Sequence, residues 1–244
     1  MGTQNQHRRR ASKTKRRQQR LGRTTAASDQ PVYPEPTLRT ASVRGAVPPP
    51  IPPLNFPDDI NNTCKDLHAI DMADGGVLAP HLFVVRDNVL LGYVGLRPVY
   101  TGQDATRGVA QMSYLAAVAK ADEIIAAWET LDLAIACQHA SLRAGPSLNM
   151  IHATATTHTL YGYPYQVRYR PGRTSTGLPE AEPHWLAESA TITDAPLEPA
   201  IHAMVRLCWQ PLDIQRPDID MVSAAATSLR ELGYTVGLTE AAVS

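Results

Sequence analysis

Two apolar runs, Leu82 to Val85 and Val89 to Leu96, are separated only by Arg86-Asp87-Asn88, and this constrains the chain more than anything else in it. Asp and Asn tolerate left-handed backbone and bond to their own neighbours, so the trio reads as the turn of a β-hairpin. Gly92 and Gly95 weaken the second strand and mark either a bulge or a close backbone approach. Pro98 ends that strand, because it cannot donate to a ladder.

Beyond the hairpin, Val109, Met112, Leu115, Ala116 and Ala119 recur at helical spacing, which predicts a helix over 105–120 with Asp104 as its cap. The following stretch fits two patterns, a helix through Ile124, Trp128, Leu131 and Ile135 or a buried strand over 123–128 followed by a helix over 130–138. Thr130 is a good N-cap, and residues 120–123 offer no helix–helix turn, so strand then helix is preferred.

Further on, Ile151, Ala153 and Ala155 alternate with polar residues, and Thr157 to Thr159 provide the turn of a second hairpin. Its return strand sets Tyr161, Tyr163, Tyr165, Val167 and Tyr169 on one face and Gln166, Arg168 and Arg170 on the other. Pro164 predicts an edge position for it. Residues 171–183 read as a Gly-, Ser- and Pro-rich loop, and 184–193 as a short strand. Ile201, Ala203, Val205, Leu207 and Trp209 alternate with His202, Met204, Arg206, Cys208 and Gln210, which predicts a half-buried strand over 201–209. Asp218 is placed to cap a helix over 218–232, Gly233 to stop it, and 234–238 to form a last strand. Read this way, strand, Pro, Asp-capped helix and strand occur twice. A duplicated β-α-β unit and chance alternation in an α/β chain both explain the repetition.

The fold class expected is α+β or α/β, a single domain with a mixed sheet and about three helices over residues 66–244. Length agrees, since 244 residues suit one domain or two small ones. Ahead of that body, 1–28 reads as a disordered basic arm and 29–65 as a Pro-rich linker. Its run Pro48-Pro49-Pro50-Ile51-Pro52-Pro53 favours polyproline II. That run suits a semi-rigid spacer and also a ligand for an aromatic groove, and the spacer is the commoner use.

Net charge is zero, yet it is segregated. Residues 1–57 hold eleven Lys plus Arg and two acids, and 58–244 hold twelve and twenty-one, a balance of +9 against −9. Nine of those cations, Arg8, Arg9, Arg10, Lys13, Lys15, Arg16, Arg17, Arg20 and Arg23, have no acid among them, so they are the candidate nucleic-acid-binding residues. The basic start is followed by no apolar signal core, and the most apolar segment is interrupted by Lys120, Asp122 and Glu123, so no membrane association is expected. The three cysteines are widely spaced with no CxxC pair, which fits reduced thiols in a reducing, cytoplasmic setting and neither a zinc ribbon nor a redox motif.

Motifs for catalysis are missing. The chain has no GxGxxG, GxxxxGK[ST] or GxSxG, and its histidines make no metal-binding pair, so neither a cofactor nor a metal is expected. Asp213, Asp218 and Asp220 read as a helix start rather than a cation site. The tyrosine stripe beside Arg168, Arg170 and Arg173 can stack bases. A tyrosine face on a sheet more commonly packs under a helix, and that reading is preferred here. The sequence therefore favours a non-enzymatic binding protein whose arm contacts DNA or RNA. Its alternatives are a protein–protein module working through the acidic body, and an enzyme whose site is assembled from scattered residues such as His152, His158 and Tyr163.

Overall fold

A computed structural model describes residues 58–139, 145–187, 189–213 and 219–242, and the basic arm and its nine cations lie outside these described residues. The expected Asp218 cap lies outside them too. Within them an eight-stranded sheet is flanked by helices on both faces. Its strands are β1 (His81–Arg86), β2 (Val89–Gly95), β3 (Glu123–Glu129), β4 (Ser147–Thr154), β5 (His158–Arg173), β6 (Pro179–Trp185), β7 (Ala190–Thr193) and β8 (Thr235–Leu238). They run in the order β6-β5-β4-β3-β1-β2-β8, with β7 also on β5. Every pairing is antiparallel, so of the two expected classes the chain takes α+β.

The first hairpin forms as expected. Asp87 and Asn88 both take positive φ, 53° and 59°, which is what a two-residue turn needs to match the strand twist. A bulge falls between Val84 and Val85, opposite Gly92 and Leu90. At Gly92 the backbone approach is real: a Cβ there would lie 2.3 Å from the carbonyl oxygen of Gly237 in β8. The far side of β8 is the sheet edge, and the Arg230 guanidinium covers it by donating to the Val236 carbonyl.

Six helices accompany the sheet among the described residues: α1 (Asp58–Ala73), α2 (Gln103–Gln111), α3 (Ser113–Ala119), α4 (Thr130–Ala136), α5 (Pro199–Cys208) and α6 (Ile219–Glu231). Inward side chains of α2, α3, α5 and α6 close over Leu82, Val84, Ile124, Ala126, Trp128 and Ile151. On the opposite face, Ile60 and Cys64 of α1 close over Phe83, Val85, Ile125, Leu148 and Met150. Successive residues of β3 and β4 alternate between these two cores, as the pleat requires, and β2 changes phase at the bulge, where Leu91 and Val94 share one core and Leu90 and Tyr93 the other.

The predicted helix over 105–120 is two helices meeting at Met112. There the backbone bond shortens to Val109, and the Ser113 hydroxyl donates to the Ala110 carbonyl. Asp104 is not the cap of α2; it accepts from the Tyr100 amide and both Arg97 guanidinium nitrogens. The strand over 123–128 stands. Its successor α4 is capped by Glu129 instead of Thr130, whose hydroxyl donates to the Ser147 carbonyl.

Three other expectations fail for identifiable reasons. Residues 201–209 are helix, not strand: Pro199 sits at the first helical position, and Ala200, Ile201, Met204 and Cys208 form the buried stripe. A period of two fits only if Met204 and Cys208 face outward, and both are buried. With that strand lost, the duplicated unit is lost as well. Residues 171–183 are not one loop, since β5 runs on to Arg173 and returns as β6 through a tight turn in which Gly177 takes φ 80°. Finally, α1 occupies residues 58–65, which the sequence placed in the linker. Its stripe of Ile60, Cys64, His68 and Met72 repeats every four residues, but half of it is His and Cys.

Candidate nucleic-acid interface

On the body, a surface for nucleic acid has to come from β5, which carries the tyrosines and arginines. The strand is 16 residues long and changes partners halfway. Residues 158–164 pair with β4, and residues from Tyr165 onward pair with β6. Pro164 falls between the stretch paired with β7 and the stretch paired with β6, where its missing N–H costs no ladder bond.

The tyrosine stripe divides at the same place. Tyr165 is buried beside Met72 and Ala181, and Tyr161 and Tyr163 are half-buried against α1. Asn61 donates to the Tyr163 hydroxyl at 3.3 Å, and the Lys65 ammonium stands 3.6 Å from the centre of the Tyr163 ring. Burial lowers the Lys65 pKa and raises that of Tyr163. This is a packed cation–π contact. Past Tyr165 the stripe is exposed, and Tyr169 keeps 73% of its surface. The preferred core-facing reading therefore holds for the first three tyrosines and fails for Tyr169.

Two of the three arginines are already engaged within the hairpin. Arg170 is paired with Glu182, and Arg173 donates to the Gly177 carbonyl at 2.7 Å. Arg168 makes no bond to a described residue, but Glu182 lies directly across from it. Facing this hairpin, α1 carries Asp58, Asp59, Asp66 and Asp71 against a single Lys65. The hairpin is thus an aromatic and apolar surface with little cationic excess, and the concentrated positive charge belongs to the arm.

The residues named for an enzyme site do not converge. His152 shares the sheet face of Met150, while His158 shares the opposite face with Leu160. His152 is hydrogen-bonded to Glu123 at 2.6 Å. His158 bonds through Nε2 to the Ala195 carbonyl at 2.8 Å. Tyr163 is on the His152 face, but its register partner Leu148 is four positions from His152, about 14 Å along the strand. No group of three His, Cys, Asp or Glu placed to hold a metal occurs among the described residues.

Two surface depressions on the described body bear on a site. One of about 420 Å³ lies among α2, α3, α5 and α6, and its walls are mostly Ala, Leu and Tyr114 with Arg107 at the rim. The other, about 300 Å³, lies between α1 and β6. The ionisable groups lining this second one are Arg170 and Glu182, already paired with each other. No family model, curated protein or solved structure matches the chain.

Sequence reasoning passed over two buried polar groups. Glu129 is 3% exposed and accepts from the Asp132 and Ser147 amides, so it holds β3, α4 and β4 together. His68 is fully buried in α1, where its Nδ1 accepts from the Leu78 amide at 3.2 Å. In both cases a polar residue inside an apolar pattern was the available signal.

Proposed function

We propose that this is a non-enzymatic binding protein that holds nucleic acid through its N-terminal arm, without sequence preference. The observation that carries this reading is the run of nine cations from Arg8 to Arg23 with no acid among them. Such a segment neutralises several phosphates at once and releases their counterions. The body supports the reading by what it offers in competition: two of the three arginines of β5 are engaged locally, and His152 and His158 lie on opposite faces of the sheet. The three cysteines are buried and free, in keeping with a reducing compartment such as the cytoplasm. No helix among the described residues is long and apolar enough to cross a membrane.

The test is a salt-titrated binding assay on duplex and single-stranded oligonucleotides. It compares the full chain, the full chain with all nine cations replaced by Gln, and the arm peptide alone. Log affinity of the full chain should fall with log salt by about 0.9 per phosphate contacted on duplex DNA, and the substituted chain should lose both affinity and slope. Equal affinity and slope in the two chains would refute the proposal. Binding by the peptide but not by the full chain would instead indicate that the body's −9 masks the arm. A protein partner is the second reading, favoured by the acid-rich α1; it predicts capture of a basic protein surface by the body with the arm substituted.

A further inference from the structure

We propose that the groove between α1 and β6 is a docking site for a proline-rich segment, and that its occupant is the chain's own Ala46–Phe56. This goes beyond the nucleic-acid reading and does not depend on it. The groove holds about 300 Å³ and has an apolar floor of Ile70, Ala73, Ala181, Pro183 and Trp185. Ile70, in the last turn of α1, keeps 52% of its surface. Apolar surface of this kind beside a tryptophan is what interaction sites present. The Trp185 indole N–H makes no hydrogen bond to a described residue, so it is available to a backbone carbonyl. Polyproline II segments are bound in this way: they are pre-extended, carry their carbonyls outward, and lie against aromatic walls.

Charge selects the same class of ligand. Arg170 and Glu182 neutralise each other at the rim. The neighbouring helix is acidic, which disfavours a phosphate backbone and tolerates an uncharged peptide. Ala46–Phe56 reads AVPPPIPPLNF, with five prolines, three large apolar side chains and no charge.

Reach selects this particular segment. Ile70 is twelve residues past Asp58, about 18 Å along the helix at its usual rise. Pro52 is six residues before Asp58, about 19 Å at the rise of polyproline II. A segment that turns back at the start of α1 and runs antiparallel to it therefore brings Pro52 level with Ile70.

The test uses the full chain with p-benzoylphenylalanine in place of Ile70. Irradiation should give an intrachain adduct that fragment sequencing places within residues 46–56. Replacing Pro49, Pro50, Pro52 and Pro53 by Ser in the same chain should lower its yield at least tenfold. Adducts only between chains, only to residues 1–45, or undiminished in the Ser variant would overturn the assignment. So would transfer of the adduct to added oligothymidylate, which would give the surface to single-stranded nucleic acid. Should the label prevent folding, hydrogen exchange of the unlabelled chain decides the matter: amides 69–74 should exchange several-fold more slowly than in the Ser variant, and equal rates overturn the proposal.

Discussion

His68 makes the folded state of this protein sensitive to acid, and the size of the effect follows from its contacts. Because Nδ1 accepts the Leu78 amide, the ring is neutral with its proton on Nε2. That nitrogen has no hydrogen-bond partner among the described residues; the ring instead packs edge-on to Tyr165 at 4.8 Å and tilted to Trp185 at 5.8 Å. Protonating Nδ1 costs the Leu78 bond and places a charge among aromatic rings. Burial accordingly pushes the His68 imidazole down to about 4.

An unfolded histidine titrates near 6.5, so between 6.5 and 4 the unfolded chain binds a proton that the folded chain refuses. The contribution is complete above pH 6.5 and is lost as pH falls toward 4. Its total is roughly 3 kcal/mol, taking 1.36 kcal/mol per pKa unit. The perturbation is His68→Gln, which keeps an acceptor for Leu78 but does not titrate. Urea denaturation of both proteins at half-unit steps from pH 7.5 to 4.5 gives a difference curve in which the other titrating groups, His81 among them, cancel. Wild type should be the more stable at pH 7.5, and its advantage should shrink by about 2–3 kcal/mol by pH 4.5. A flat difference curve, or an imidazole that titrates near 6.5 by NMR in the folded protein, would refute the reasoning.

Other substitutions probe the two cores. Gly92→Ala should cost about 2–3 kcal/mol in chemical denaturation, because the new methyl meets the Gly237 carbonyl, which no rotamer change can move aside; an unchanged midpoint would disprove the close approach. Trp128→Ala should cost about 3–5 kcal/mol, the range for emptying a buried aromatic site. Trp209→Ala should cost only about 2 kcal/mol, since that ring is half-buried at the end of α5 and adds one bond to the Ala121 carbonyl; the reverse order would count against the packing described. All three thiols should react with a disulfide reagent after unfolding without prior reduction, yet slowly in the native state, where burial pushes Cys64 and Cys208 up to about 12; fast native labelling, or fewer than three thiols, would contradict the buried, free assignment.

The strands of the sheet were legible wherever both faces are lined by aliphatic residues. β1, β2 and β3 are apolar on both sides and short, and the Asp87-Asn88 turn fixes the register of β1 on β2 from within the sequence. What escaped was helix built from ambiguous residues. In α1 and α5 the inward positions are filled partly by His68, Cys64, Cys208 and Met204, side chains that an apolar count ranks low but that a closed interior accepts readily. Once those are scored as outward, the four-residue repeat disappears in α1, and a false two-residue repeat appears in α5. The hairpin of β5 and β6 escaped for another reason: its outer half is exposed on both faces, so no burial pattern reports it.

The candidate site was less legible than the fold because the polar groups of the body are mostly occupied in holding it together. Glu129 ties down two backbone amides, Asn61 holds Tyr163, the Ser113 and Thr130 hydroxyls satisfy carbonyls, and Arg230 closes the β8 edge. Each of these has the residue type of a catalytic group and the contacts of a structural one. An acid–base site needs an ionisable side chain facing a cleft with its reactive atom unspent. In the described body the Nε2 of His68, the Nε2 of His139 and the indole N–H of Trp128 are buried without a hydrogen-bond partner, and Trp185 lines the apolar groove beside α1. A buried imidazole held neutral serves stability, and the docking proposed above gives the indole beside Ile70 and Pro183 its role. The two proposals above thus assign different ligands to the groove and to the arm: an uncharged extended peptide to the first, phosphates to the second.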